Sequence, residues 1–95
     1  MAKKNVIVYS CDPTCVADIH DKTLKTKKFV YLVADGTTAT LQFTNSPFDP
    51  PVTAVSIPQD TFVKMKMGSK KGAFQYSLTC SRCATPPDDP SMIVE

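Results

Sequence analysis

Four cysteines are the residues of this chain best equipped for chemistry, and they come in two close pairs. Cys11 and Cys15 bracket "DPT" near the start, and Cys80 and Cys83 bracket "SR" near the end. Spacings of three and two residues suit chelating pairs, in which a short loop aims two thiolates at one ion. A tetrahedral set of four sulfurs fits zinc, and soft thiolates also bind Cu(I). The same residues can instead form bridges, for which four cysteines allow about three connectivities. A bridge between the pairs closes a loop of about seventy residues and stabilises by roughly 4 kcal/mol in the chain-entropy picture. Thiol–disulfide exchange by the C-x-x-C is a weaker reading. Reactive pairs are often activated at a helix N-terminus, whereas Cys80 ends a strand-like run and Cys83 enters "ATPPDDP". Four unconnected thiols are the plainest reading, since cysteine is a common core residue; two pairs at ligand spacing argue against it. The compartment divides the rest: a reducing one favours metal, an oxidising one favours bridges.

Little else in the chain suggests catalysis. His20 is the single histidine, and in "ADIHDK" it reads as a solvated loop residue rather than a ligand or base. Asp88 and Asp89 form a turn with Pro90 more readily than a carboxylate pair. Met65 and Met67 alternate with lysines, and Met is a common core filler. There is no Ser/His/Asp set, no phosphate-binding glycine loop and no HExxH, so the expectation is a protein that is not an enzyme. Lys22, Lys25, Lys27 and Lys28 form one basic group, and Lys64, Lys66, Lys70 and Lys71 another. They read as solvated sheet faces and protected edges. With a net charge of +2 and no exposed aromatics interleaved among the lysines, nucleic acid is not expected as a partner. An unidentified protein partner fits better.

The elements that must position the sulfurs are strands. Ninety-five residues are enough for one domain with a modest core, over 1–95, which a metal or a bridge would usefully supplement. The spacing predicts strands over 5–10, 28–34, 38–45, 52–57, 60–68, 73–80 and 91–95. One short helical turn is expected in "CVADIHDKTL", opened by Asp12-Pro13. Asp35-Gly36 signals a hairpin. Alternation gives faces: Phe74, Tyr76, Leu78 and Cys80 on one side, Gln75, Ser77 and Thr79 on the other. Leu41 and Phe43 similarly oppose Gln42 and Thr44, and Val63, Met65 and Met67 oppose Lys64 and Lys66. One apolar face per strand suits two stacked antiparallel sheets. The run 28–34 is apolar on both faces and belongs in a sheet centre.

Residues 28–95 resemble the cupredoxin family, the plastocyanin-type blue-copper sandwich. The resemblance rests on "GTTATLQFTNSPF", a proline-rich break, and "GAFQYSLTCSRC". Its most specific part is a glycine turn, a strand with inward aromatics and a terminal cysteine. It implies an all-β, two-sheet Greek-key β-sandwich, cupredoxin-like, with at most one short helical turn. It also implies that Cys80 stands at the family's copper-thiolate position. The following family histidine is replaced by Cys83, and "FTNSPFDPP" supplies no second imidazole. Met92 starts the last strand rather than serving as an axial ligand. A type 1 copper site needs two imidazoles, so the resemblance implies the scaffold without that site. In the family arrangement the first loop lies beside the copper loop, which brings Cys11 and Cys15 to Cys80 and Cys83. The favoured expectation is a non-catalytic binding or structural module with a zinc site on those four residues, its loops "SPFDPP" and "ATPPDDP" serving as contact surfaces. The alternatives are Cu(I) in copper handling or electron transfer, and two disulfides. Lys70, Lys71 and Arg82 are candidates to offset the charge of a thiolate centre. No run of about eighteen apolar residues is present, so no membrane association is expected. "MAKKNVIVYSC" carries no secretory signal and predicts a cytoplasmic protein. A periplasmic or secreted domain with Met-Ala-Lys-Lys added in front would begin the same way.

Overall fold

β-Branched and aromatic residues, alternating with polar ones and punctuated by glycine and proline, leave the chain little choice but strand. The computed structural model describes residues 5–11, 14–83 and 89–95. Among the described residues nine strands run β1 (Val6–Cys11), β2 (Cys15–Ala17), β3 (Asp21–Leu24), β4 (Phe29–Asp35), β5 (Ala39–Phe43), β6 (Ala54–Ile57), β7 (Phe62–Lys66), β8 (Gly72–Cys80) and β9 (Ser91–Val94). They form a four-stranded sheet, β2-β1-β4-β7, and a five-stranded sheet, β3-β9-β8-β5-β6. The expected two-sheet, all-β sandwich is the architecture found. Among the described residues no helix is long and apolar enough to cross a membrane.

Seven of the nine strands coincide with expected ones to within a few residues. The segment 15–24 does not: "CVADIHDKTL" holds β2 and β3 in place of a helical turn. Each is too short to show a period of its own. β2 is fixed by antiparallel pairing with β1, and β3 by parallel pairing with β9. Asp12 and Pro13 lie outside the described residues.

Asp35-Gly36 also differs from expectation. It turns the chain from β4 in one sheet to β5 in the other, so it is no β-hairpin. Gly36 has φ +71°, a conformation that costs glycine nothing, and its N–H donates to Asp60 Oδ1 at 2.8 Å. The sheets are mixed rather than antiparallel, because β1 pairs parallel with β4 and β3 parallel with β9.

The facing sides carry one continuous core. Ile7, Tyr9, Val30, Leu32 and Ala34 come from the first sheet. Leu41, Phe43, Tyr76, Leu78, Met92 and Val94 meet them from the second. Met67 and Met92 are fully buried and Met65 is partly buried against the core, so the methionines fill space. The segment "SPFDPP" is held inward by Phe48, which packs edge-on against Phe43 at 5.3 Å. Only Asp49, Pro50 and Pro51 remain exposed there, which reduces the contact surface expected of this loop. Gly68 lets this segment approach, since a Cβ would sit 3.3 Å from the Pro47 carbonyl oxygen.

Tyr9 and Tyr76 cross the core and share a 2.9 Å hydrogen bond between their hydroxyls. Burial, reinforced by Tyr76 and Asp18, holds the Tyr9 phenol far above its ordinary range. The unfolded phenol ionises near pH 10, so above that pH the unfolded chain binds fewer protons than the native one. Stability is therefore whole below about pH 10 and falls above it, by about 1.4 kcal/mol per pH unit from this group. Phenolate absorbance should lag in the native protein and appear with unfolding. Full ionisation of all three tyrosines in a still-folded chain would contradict the burial of Tyr9.

Candidate functional site

The four cysteines meet at one end of the sandwich. Cys11 closes β1 and Cys15 opens β2, and the two are register partners across that hairpin. Cys80 closes β8 in the opposite sheet and Cys83 lies three residues on. Cys11 is bonded to Cys83 and Cys15 to Cys80, with Cα separations of 6.0 and 5.6 Å. Cys15–Cys80 joins β2 of the four-stranded sheet to β8 of the five-stranded sheet, and Cys11–Cys83 joins β1 to the loop that follows β8. Cys15 is 3 % exposed, while Cys11, Cys80 and Cys83 are half-buried against the core edge.

Thr37, Thr38 and Ser81 set the path of the "CSRC" loop, and no motif in the sequence marked them. Thr37 is a buried polar residue in the turn between β4 and β5. Its Oγ1 accepts from Arg82 N at 3.1 Å. Ser81 N donates to the Thr38 carbonyl at 2.9 Å, and Thr38 N donates to Ser81 Oγ at 3.1 Å. These bonds fix the backbone on either side of Ser81, so Cys80 and Cys83 are both aimed at the β1–β2 hairpin. Two threonines after a glycine carry no local signal of this latch, because its partners lie more than forty residues away.

The chemistry of the donor set depends on its redox state. As bridges, the sulfurs are bonded to one another and none is free to act as a thiolate. The Sγ atoms of Cys11, Cys80 and Cys83 nevertheless lie within 4.8 Å of one another. In a tetrahedral zinc site with bonds near 2.3 Å, sulfurs stand about 3.8 Å apart. Cys15 is not in that group of three, and the bridged cluster, with its sulfurs bonded in pairs, does not fit an ion.

Other candidates fall elsewhere. His20 is exposed, with Nδ1 3.0 Å from Asp21 Oδ1, and is outside the sulfur cluster. Asp18 accepts from Val8 N at 3.0 Å, a strand-edge role. Lys70 and Lys71 precede Gly72 at the start of β8, whereas Cys80 is at its end. A nine-residue strand separates them by about 26 Å, too far to offset charge on the sulfurs. They instead border a shallow groove of about 570 Å³ with Thr44, Asn45 and Phe74. Arg82 stays exposed between the cysteines of its loop. Asp89 is exposed, while Asp88 and most of "ATPPDDP" lie outside the described residues.

No protein-family model matches the chain, and no curated protein matches it in sequence. Solved structures do match in shape. A reduced Cu(I) form, at pH 4, of a proline-to-glycine variant of amicyanin superposes with a TM-score of 0.63. That similarity covers 99 % of this chain and 86 % of amicyanin at 13 % identity. An oxidised methionine-to-lysine variant gives 0.63 at 12 % identity over 99 % and 86 % of the two chains. A Cu(I) methionine-to-glutamine variant gives 0.60 at 14 % identity over 96 % and 83 %. Likeness at this identity establishes the fold alone.

Proposed function

We propose that this chain, a cupredoxin-like β-sandwich, serves as a small non-catalytic binding or structural module whose loop end is closed by two sulfur bridges. The observation that carries the reading is the pairing of Cys11 with Cys83 and Cys15 with Cys80. By the family resemblance, Cys80 stands at the copper-thiolate position. A type 1 site draws on two imidazoles, and this chain has one histidine. Bridges spanning the sheets supply stability that a small core gives sparingly. Such a form suits an oxidising compartment.

A second reading is favoured by the close approach of three sulfur atoms. If each bridge takes two electrons and two protons from an external dithiol, four thiols result, and their deprotonated forms could hold zinc. The structural neighbours include Cu(I) forms of amicyanin, and four thiolates also suit Cu(I), with copper handling or electron transfer as the role.

One experiment separates these readings: a free-thiol count with and without reductant, paired with metal analysis of protein purified anaerobically. The bridged module gives essentially no thiols before reduction and all four after it. One equivalent of zinc or copper, with the thiols already free, overturns it in favour of the metal.

A further inference from the structure

We propose that the outer face of the four-stranded sheet binds a second copy of this chain, as a weak two-fold dimer. The alternate residues of β1, β4 and β7 that do not enter the core carry an unusual amount of apolar surface. Phe62 is 60 % exposed and Phe29 46 %. Val6, Tyr31, Val33 and Phe62 surround a shallow apolar groove of about 290 Å³. Solvent-facing sheet surfaces are ordinarily polar, and contiguous apolar patches mark interaction sites.

The charges on this face identify the occupant. Phe62, Lys64 and Lys66 alternate along the exposed side of β7. Asp60 lies in the turn just before it, where its Oδ1 accepts from Gly36 N and it lines one hollow with Val33, Asp35 and Phe62. The acids are thus at one end and the bases at the other. Asp35 marks the acidic end of β4, and Phe29, beside Lys66, the basic end. Among the described residues none of Asp35, Asp60, Lys64 or Lys66 takes part in an ion pair. Lys64 lies 4.3 Å from the centroid of the Phe29 ring, so its charge stays on the apolar face.

This pattern is complementary to itself. Ile7, Leu32 and Val63 lie in one line across the sheet, as register partners. Consider a two-fold axis in the plane of the interface, parallel to that line and thus perpendicular to the strands. It brings the end that carries Asp35 and Asp60 against the Lys66 end of the other copy and sets Phe62 against Lys64. It sets Tyr31 against Val33, Val6 against Val8, and Phe29 against Asp35. Opposite charges meet at both ends, and between them apolar groups face one another, with Lys64 of each copy against the Phe62 ring of the other. The other in-plane axis, along β4, would put Asp35 against Asp35 and face the lysines with β1, with no ion pair formed. Packing of two sheets at about 10 Å, turned by about 30°, accommodates the first arrangement. Edge-to-edge pairing through β7 is opposed by Lys64 and Lys66. The face is about 20 Å long and little more than three strands wide, below the roughly 800 Å² per partner of a standard interface. The dimer is therefore a weak one.

Sedimentation equilibrium of the whole chain, from about 10 μM to about 1 mM, tests the proposal. The wild-type mass should rise toward the dimer at low salt and less so at high salt. Phe62→Asp and Lys66→Glu should each weaken association at least about tenfold, and Lys66→Arg should retain it. Both positions are exposed, so unchanged melting curves confirm that the variants fold. A monomer at every concentration overturns the proposal, as does a dimer indifferent to both disruptive variants.

Discussion

Loss of both sulfur bridges is expected to remove about 7 kcal/mol of stability, whereas loss of either alone removes only about 2.5 kcal/mol. The asymmetry follows from nesting. The bonds span 72 and 65 residues, and either one closes the large loop of the unfolded chain, an effect of about 4 kcal/mol. With one in place, the second closes only the small ring made of segments 11–15 and 80–83, an effect of about 2.5 kcal/mol. Domains are stable by about 5–15 kcal/mol, so the chain without both bridges is expected to be largely unfolded. Denaturant melts of Cys11→Ala with Cys83→Ala, of Cys15→Ala with Cys80→Ala, and of the quadruple variant measure this. The inner pair should cost somewhat more than the outer, since Cys15 is buried. Equal losses from single-bridge and double-bridge removal would show that the bonds act through local packing and not through the unfolded chain. A chelator that unfolds the unreduced protein would transfer the effect to a metal.

Phe43→Ala is expected to cost about 3–5 kcal/mol, while Phe62→Ala changes stability by no more than about 0.5 kcal/mol. The chemical change is identical and the surroundings differ. Phe43 is 3 % exposed and stacks between Phe48, at 5.3 Å, and Tyr76, at 4.8 Å. Truncation there leaves a cavity bounded by two rings, one on the neighbouring strand β8 and one on the segment that follows β5. Phe62 touches Tyr31 at 5.8 Å but is largely in solvent. A thermal shift of about 4–8 °C per kcal/mol makes the contrast plain in melting curves. Comparable losses at both positions would mean that the outer face of the four-stranded sheet is buried in solution, which concentration-dependent melting of the Phe62→Ala protein would then reveal.

Much of the cupredoxin-like fold is legible from alternation alone. In β8 the inward set Phe74, Tyr76 and Leu78 is buried, and Gln75 and Thr79 are exposed, as the two-residue period requires. β4, apolar on both faces, does lie between β1 and β7. Among the described residues its outer face meets no second layer, and that difference underlies the proposed dimer. The grouping of the cysteines into two close pairs is likewise a property of the sequence.

Contacts between distant segments decided the rest. β2 and β3 are three and four residues long, too short for periodicity, and each exists because a neighbouring strand offers it a hydrogen-bonding edge. The turn at Asp35-Gly36 has local chemistry that any reader would assign, yet nothing local says which sheet the next strand joins. The sulfurs follow the same rule. Their types and spacings establish which bonds and ions are chemically available, but Cys11 meets Cys83 only because two sheets stack and Thr37 and Ser81 hold a loop in place. Side-chain identity acts at short range along the chain, and the pairing of residues seventy positions apart is set by how apolar faces bury one another.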